Sequence, residues 1–203
     1  MLKRTTSEFL KKKLTTHTNL KILDIGCGYT ANPYATHLAD TLDLRNFYKE
    51  KNFILLQDEI LPFKDKEFDF IISSHVLEHV ADLQFFISEL ERIGKEGYIE
   101  VPTRLEDNLV FENKSAHLWW INFDDNDYSL LIQKKKQIIE PFLTVSSSQF
   151  LRKYFDDSLT LKLLWNDKIP YKILNEEIYN ENIKLSFWKI IKKYFSKKIR
   201  SII

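Results

Sequence analysis

The chain is short of the residues that bend or brace a backbone, with four glycines, five prolines and a single cysteine among 203 residues. One cysteine, Cys27, excludes an internal disulfide and fits a reducing compartment. No run reaches the roughly 18 apolar residues of a membrane span. Met1 to Leu20 is basic and polar without an apolar stretch, so no secretory leader is expected there. A net charge of +1 supplies no global field for nucleic acid. Neither an internal repeat nor a low-complexity linker is found. These absences leave a cytoplasmic protein as the expected class, most simply one domain over residues 1–203 that buries roughly 70% of its unfolded surface.

What is present fits a packed core: 44% of residues are hydrophobic and 14% aromatic. Where glycine is scarce, its placement is informative. Two of the four stand in Lys21-Ile-Leu-Asp-Ile-Gly-Cys-Gly28, directly after an apolar run that suits a buried parallel strand. Glycines let a backbone turn tightly against a ligand, and open α/β sheets bind ligands outside the carboxyl ends of their strands. Further strands are expected at Thr36 to Asp40, Phe53 to Gln57, Phe68 to Ser73 and Tyr98 to Val101. Apolar residues at Leu83, Phe86, Ile87, Leu90 and Ile93 predict a helix over 82–93, with Gly94 at the position of a C-cap. A helix over Ser7 to Leu14 precedes the first strand. The expected fold is therefore α/β, with a mostly parallel central sheet ending in an antiparallel hairpin.

After Pro102 the pattern changes. Thr103 to Ala116 reads as a long polar loop, and His117 to Phe123 with Tyr128 to Gln133 as a hairpin around an acidic turn. Ser146 to Phe155 reads as a helix. Leu159 to Trp165 and Tyr171 to Leu174 follow as antiparallel strands around Asn166-Asp167. The cluster Asp124, Asp125 and Asp127 lacks the spacing of a calcium loop and reads as a solvated turn.

Two ligands compete for the glycine turn. Gly26, Gly28 and Ala31 satisfy the dinucleotide pattern G-x-G-x-x-A. A pyrophosphate, however, needs a helix whose first amides face it, and Asn32-Pro33 leaves room for little more than one turn. Asp24 would also set a carboxylate against that pyrophosphate. For a ligand carrying an ammonium and a sulfonium the same carboxylate is an asset.

Leu23 to Gly28 resembles the first motif of the class I S-adenosylmethionine-dependent methyltransferases. Gln57-Asp58-Glu59-Ile60-Leu61-Pro62-Phe63, Phe68 to Val80 and Gly97 to Pro102 resemble later segments of the small-molecule, type 11 branch, in the same order. The likeness covers about residues 20–102, taken as the cofactor half; about 103–180 is the acceptor side. The resemblance implies S-adenosylmethionine as cofactor and S-adenosylhomocysteine as product. It implies that Gly26, Cys27 and Gly28 approach the methionine moiety, with Asp24 attracting its amino group. An acid ending the second strand, Asp40 first and Asp43 second, would accept both ribose hydroxyls. Asp58 would meet the adenine amino group, and a Glu59 or Ile60 amide a ring nitrogen. Ser74 and His75 would border the transferred methyl. Thr30 replaces the usual third glycine, and the first helix is nearly absent.

A hydroxyl or amine acceptor calls for a proton acceptor, and histidine has a suitable pKa of roughly 6.5. His75 is the first candidate and His117 the second. His75, Glu78 and His79 would share one face of a helix, where ubiquinone-pathway enzymes of similar sequence hold a divalent ion. His75 replaces an acid of that pattern, and no metal is expected. Cys27 reads as a small residue filling a turn. His117, Trp119 and Trp120 either line the acceptor pocket or pack the hairpin onto the sheet. The expected reaction is methyl transfer to an oxygen or nitrogen of a small molecule, with a sugar or lipid-linked saccharide as the preferred acceptor. The alternative is a non-catalytic cofactor-binding or assembly protein of the same fold.

From Lys184 onward there are six lysines, Arg200 and no acid, so this stretch carries +7 and the rest of the chain −6. Phe187, Trp188, Ile191, Phe195, Ile199 and Ile202 gather on one side of a helix there, and most of the bases on the other. Residues 184–203 are thus a candidate for peripheral contact with anionic membrane, on the inner face, or for docking on the domain.

Overall fold

A computed structural model of the protein describes residues 1–203 except 17–18, 59, 111–112, 139–143, 145–146, 176–185 and 201–203. Its centre is a seven-stranded sheet. Four short parallel pairings join β2 (Ile22–Ile25), β3 (His37–Asp40), β4 (Asn52–Leu55), β5 (Phe68–Ser74) and β6 (Gly94–Pro102). Beyond β6 the sheet turns antiparallel, first with β9 (Thr160–Asn166) and then with β1 (Lys3–Arg4). The order β1-β9-β6-β5-β2-β3-β4 reverses direction between β2 and β5, the switch point at which ligands bind in open α/β sheets.

Strand pleating sends alternate residues into two cores. On one face, Phe70 and Ile72 of β5 pack with Leu10 and Leu14 of α1 (Ser7–Thr16). On the other, Ile71 packs with Leu83, Ile87, Leu90 and Ile93 of α2 (Leu83–Ile93). The Asp82 carboxylate caps α2 by accepting from the Phe85 amide at 2.9 Å. Gly94 stands at the C-cap of α2 as expected, its amide donating to the Leu90 carbonyl, with an extended φ of −114°, and it opens β6 directly. Its need for glycine is packing, since a Cβ there would lie 2.4 Å from Ile71 Cδ1.

The hairpin forms as expected, from β7 (Trp119–Asp124) and β8 (Ser129–Lys134), but it does not extend the central sheet. It makes a separate three-stranded sheet with β10 (Tyr171–Ile173), which packs Ile121, Phe123, Leu130 and Ile132 into the α2-side core. β10 runs parallel to β8 and is not the antiparallel partner of β9. The Glu91 carboxylate draws the chain away from β9, accepting from the Ile169 amide at 2.6 Å and from Lys168 Nζ at 2.8 Å.

The expected loop over 103–116 contains α3 (Arg104–Leu109) and α4 (Asn113–Ala116). α3 buries Glu106, Asp107 and Asn108, so no apolar periodicity announces it. α5 (Ser148–Leu159) and α6 (Phe187–Arg200) complete the described elements.

Candidate functional site

Four strand ends meet at the switch point. Gly26 follows β2 with φ +69°, and a Cβ there would lie 2.4 Å from Val76 Cγ2, so the tight approach of this turn to the β5 loop requires glycine. Gly28 also has positive φ, +48°. Its amide donates to Asp40 Oδ2 at 2.8 Å, and its carbonyl accepts from the Tyr48 hydroxyl at 2.8 Å. The Ala31 amide donates to the same hydroxyl at 3.1 Å. Tyr48 thus pins both limbs of the turn where a first helix is missing, a role with no local signal in the sequence.

The turn separates two cavities. One, of about 650 Å³, is lined by Asp24, Gly26, Cys27, Gly28, Ser74 and His75, with Glu100 on its far wall. The other, of about 710 Å³, is lined by Gly26, Asp40, Leu56, Asp58, His75 and Phe85. Gly26 and His75 border both. The expected cofactor residues are therefore divided: Asp24, Cys27, Gly28 and Ser74 on one side, Asp40 and Asp58 on the other. Ile60 is two-thirds exposed, and Glu59 lies outside the described residues. Asp43 sits on the surface in a two-point pair with Arg45, 2.9 Å and 2.5 Å, so Asp40 is the acid that faces a cavity.

The Asp40 carboxylate accepts from two amides, Gly28 through Oδ2 and Leu42 through Oδ1 at 2.8 Å, which leaves lone pairs on both oxygens for further donors. Asp24 is buried and accepts from the Asn32 amide at 2.6 Å. Burial pushes its carboxyl up to about 6, against the pull of that hydrogen bond. Burial likewise pushes the Cys27 thiol up to about 12, as suits a turn-filling residue and not a nucleophile.

His75, the first candidate for the proton acceptor, is fixed by its backbone and by two acids. Its backbone takes a left-handed φ of 55°, held by its amide donating to the Glu100 carbonyl at 2.8 Å. The ring lies between two carboxylates, Nδ1 3.3 Å from Glu78 Oε1 and Nε2 3.4 Å from Glu100 Oε1. Burial alone would lower its pKa, but Glu100 and Glu78 overcome that and raise it to about 10. Both ring nitrogens face carboxylates, an arrangement that favours the protonated ring over the free base a proton acceptor needs.

The second candidate, His117, is brought into place by the hairpin. The Leu118 amide donates to the Glu78 carbonyl at 2.7 Å, and Trp119 Nε1 donates to the Val80 carbonyl at 2.8 Å. Trp119 is partly buried against the α2-side core, and Trp120 is fully buried with Arg104 over its ring. His117 Nδ1 lies 2.6 Å from Asp107 Oδ1, and both side chains are buried. Asp107 escaped sequence reasoning because α3 did. With Nδ1–H donated to that carboxylate, the lone pair of the ring is left on Nε2.

His79 stands edge-on to His117 with ring centroids 4.5 Å apart, and donates its own Nδ1–H to the Ala116 carbonyl at 3.0 Å. Ligand atoms of Glu78, His79 and His117 lie within 4.8 Å of one another, a set that could hold a divalent cation. It differs from the expected trio in that His117 replaces His75.

Residues 23–99 match the family described as "Methyltransferase domain". Over 182 residues the chain is 26% identical to a ubiquinone biosynthesis O-methyltransferase of Pelagibacter ubique, covering 80% of this chain and 72% of that protein. Over 111 residues it is 33% identical to the uncharacterized protein MJ0638 of Methanocaldococcus jannaschii, covering 51% of this chain and 49% of that one. The chain thus spans well under two thirds of the second relative's length. Among solved structures, the PH0226 protein of Pyrococcus horikoshii aligns with a TM-score of 0.46 at 16% identity, over 79% of this chain and 89% of that one. The parallel sheet with its switch point, the glycine turn at that point and the family match over residues 23–99 together support a class I S-adenosylmethionine-dependent methyltransferase.

Proposed function

We propose that this enzyme methylates a hydroxyl oxygen of a small molecule, with one cofactor spanning the two cavities across Gly26 and His75. The observation that carries this reading is the division of the carboxylates: Asp40 and Asp58 face one cavity and Asp24 the other. Asp40 would hold the ribose hydroxyls, with each charge-assisted hydrogen bond contributing roughly 1.5–3 kcal/mol. Asp58 would read the adenine amino group, and Asp24 would hold the ammonium of the methionine end. The cofactor, when bound, supplies a methyl group already activated on a sulfonium, so alignment provides much of the acceleration.

On the acceptor side, His117 Nε2 would take the hydroxyl proton, with Asp107 holding the ring in the required tautomer. Three curated relatives named as O-methyltransferases, from Pelagibacter ubique, Rickettsia felis and Rickettsia typhi, support oxygen over nitrogen at 26%, 28% and 28% identity. Nothing in the comparisons supports a sugar or lipid-linked saccharide as the acceptor. A second reading, in which Glu78, His79 and His117 hold a divalent cation, is favoured by Glu78 Oε2, which is buried without a hydrogen-bond partner among the described residues. Metal analysis of untagged protein separates the two: stoichiometric metal and loss of acceptor methylation on chelation would favour the cation.

Calorimetry with S-adenosylhomocysteine tests the cofactor site. Micromolar binding at one site per chain is expected, and no binding at millimolar ligand would overturn the reading. Binding without methylation of any hydroxyl acceptor would favour a cofactor-binding or assembly protein of the same fold.

A further inference from the structure

The described part of α6 carries a run of exposed aromatic residues. Phe187, Trp188, Tyr194 and Phe195 are each more than half exposed, Trp188 by 76%. Ile190 and Ile191 are only partly covered. At 3.6 residues per turn these six residues fall on one half of the helix circumference. Lys189, Lys192 and Lys193 fall on the other half, exposed and in no ion pair among the described residues. In sequence, Lys197 and Arg200 continue that basic face. A helix docked on its own domain would hide the aromatic face, and here that face is open.

We infer that α6 is an interfacial anchor that lays its aromatic face into the headgroup region of a membrane rich in anionic lipid. The charge separation selects the occupant. A stretch of +7 with no acid complements an anionic surface, and its bases flank the apolar stripe where they can reach headgroups. Tryptophan and tyrosine suit that depth, having an apolar body and a polar tip. A nucleic acid would be met by aromatic residues interleaved with bases along one groove, and α6 keeps the two apart. No helix among the described residues is long and apolar enough to cross a membrane, so the contact is peripheral. It would hold the methyltransferase at a surface, where acceptors with apolar tails concentrate.

Flotation of the full chain with vesicles tests this, using phosphatidylcholine alone and phosphatidylcholine with 30% phosphatidylglycerol (roughly the charge density of an anionic leaflet). Binding to the anionic vesicles only is expected, falling about tenfold or more in Lys189→Glu/Lys192→Glu/Lys193→Glu and in Trp188→Ser/Phe195→Ser. Tryptophan emission should shift to shorter wavelength on the anionic vesicles in the wild type and not in the Trp188→Ser variant. S-adenosylhomocysteine binding by the variants should match wild type, which separates a lost anchor from a lost fold. Three results would overturn the inference: equal flotation by wild type and variants, no flotation on anionic vesicles, or Trp188-dependent self-association in sedimentation without vesicle binding.

Discussion

The chain up to Pro102, which we propose holds the cofactor, and the chain after it, which we propose holds the acceptor, are built on different principles. Between β2 and β6 the functional groups sit near strand ends, and the backbone itself makes the site: a glycine turn, the carboxylates of Asp24 within β2 and Asp40 ending β3, and a cavity at the switch point. After Pro102 the functional groups are joined by long-range contacts. His117 owes its place to Glu78 and Val80 in the segment after β5 and to Asp107 in α3. Strand-end geometry is rigid and local, so it can be shared by many enzymes.

That contrast makes different demands on mutations. Asp107→Asn should lower kcat by about 10²–10³ with KM for the acceptor little changed, because the amide still packs but no longer fixes the tautomer of His117. Rescue by Asp107→Glu and an unchanged affinity for S-adenosylhomocysteine would mark it as a positioning residue of the acceptor half. Gly26→Ala should break the other half: strain at φ +69° and the contact with Val76 would cost about 1–3 kcal/mol of stability and weaken the cofactor by about tenfold or more. Thermal melts with and without S-adenosylhomocysteine check both parts.

Asp24 provides the pH dependence. Its folded pKa, about 6, lies above its ordinary value of 3.8, so the native state takes up a proton that the unfolded chain releases between those limits. The contribution of this group to stability therefore grows as pH falls through about 6 and is lost as pH rises above it. Cofactor binding has the opposite sense, because an ammonium needs the carboxylate. Affinity should fall by about tenfold per pH unit below about 6, and Asp24→Asn should flatten that slope. The smallest effect belongs to Cys27→Ser, which should leave kcat within about twofold, since this thiol only fills the turn.

The same contrast governs what was legible in the sequence. Strand positions up to Pro102 could be read from short apolar runs such as Ile22-Leu23 and Phe70-Ile71-Ile72, and the family match covers residues 23–99. α3 could not be read, because its buried face is Glu106, Asp107 and Asn108, and a polar interior has no hydrophobic period. β10 was recognised as a strand but assigned the wrong neighbour. The Glu91 contacts that redirect it lie about eighty residues away in the chain. The sequence singles out His75 but not its neighbour Glu100, whose carboxylate is brought to it by the pairing of β5 with β6.

The central claim is that one cofactor spans both cavities with its ribose on Asp40. Titration of S-adenosylhomocysteine into Asp40→Asn and Asp43→Asn tests it most directly. The asparagine at 40 keeps an acceptor for a backbone amide but loses the charge that the hydroxyls require. The account predicts about a hundredfold weaker binding for Asp40→Asn and less than a twofold change for Asp43→Asn. Wild-type affinity in Asp40→Asn, or loss confined to Asp43→Asn, would contradict it.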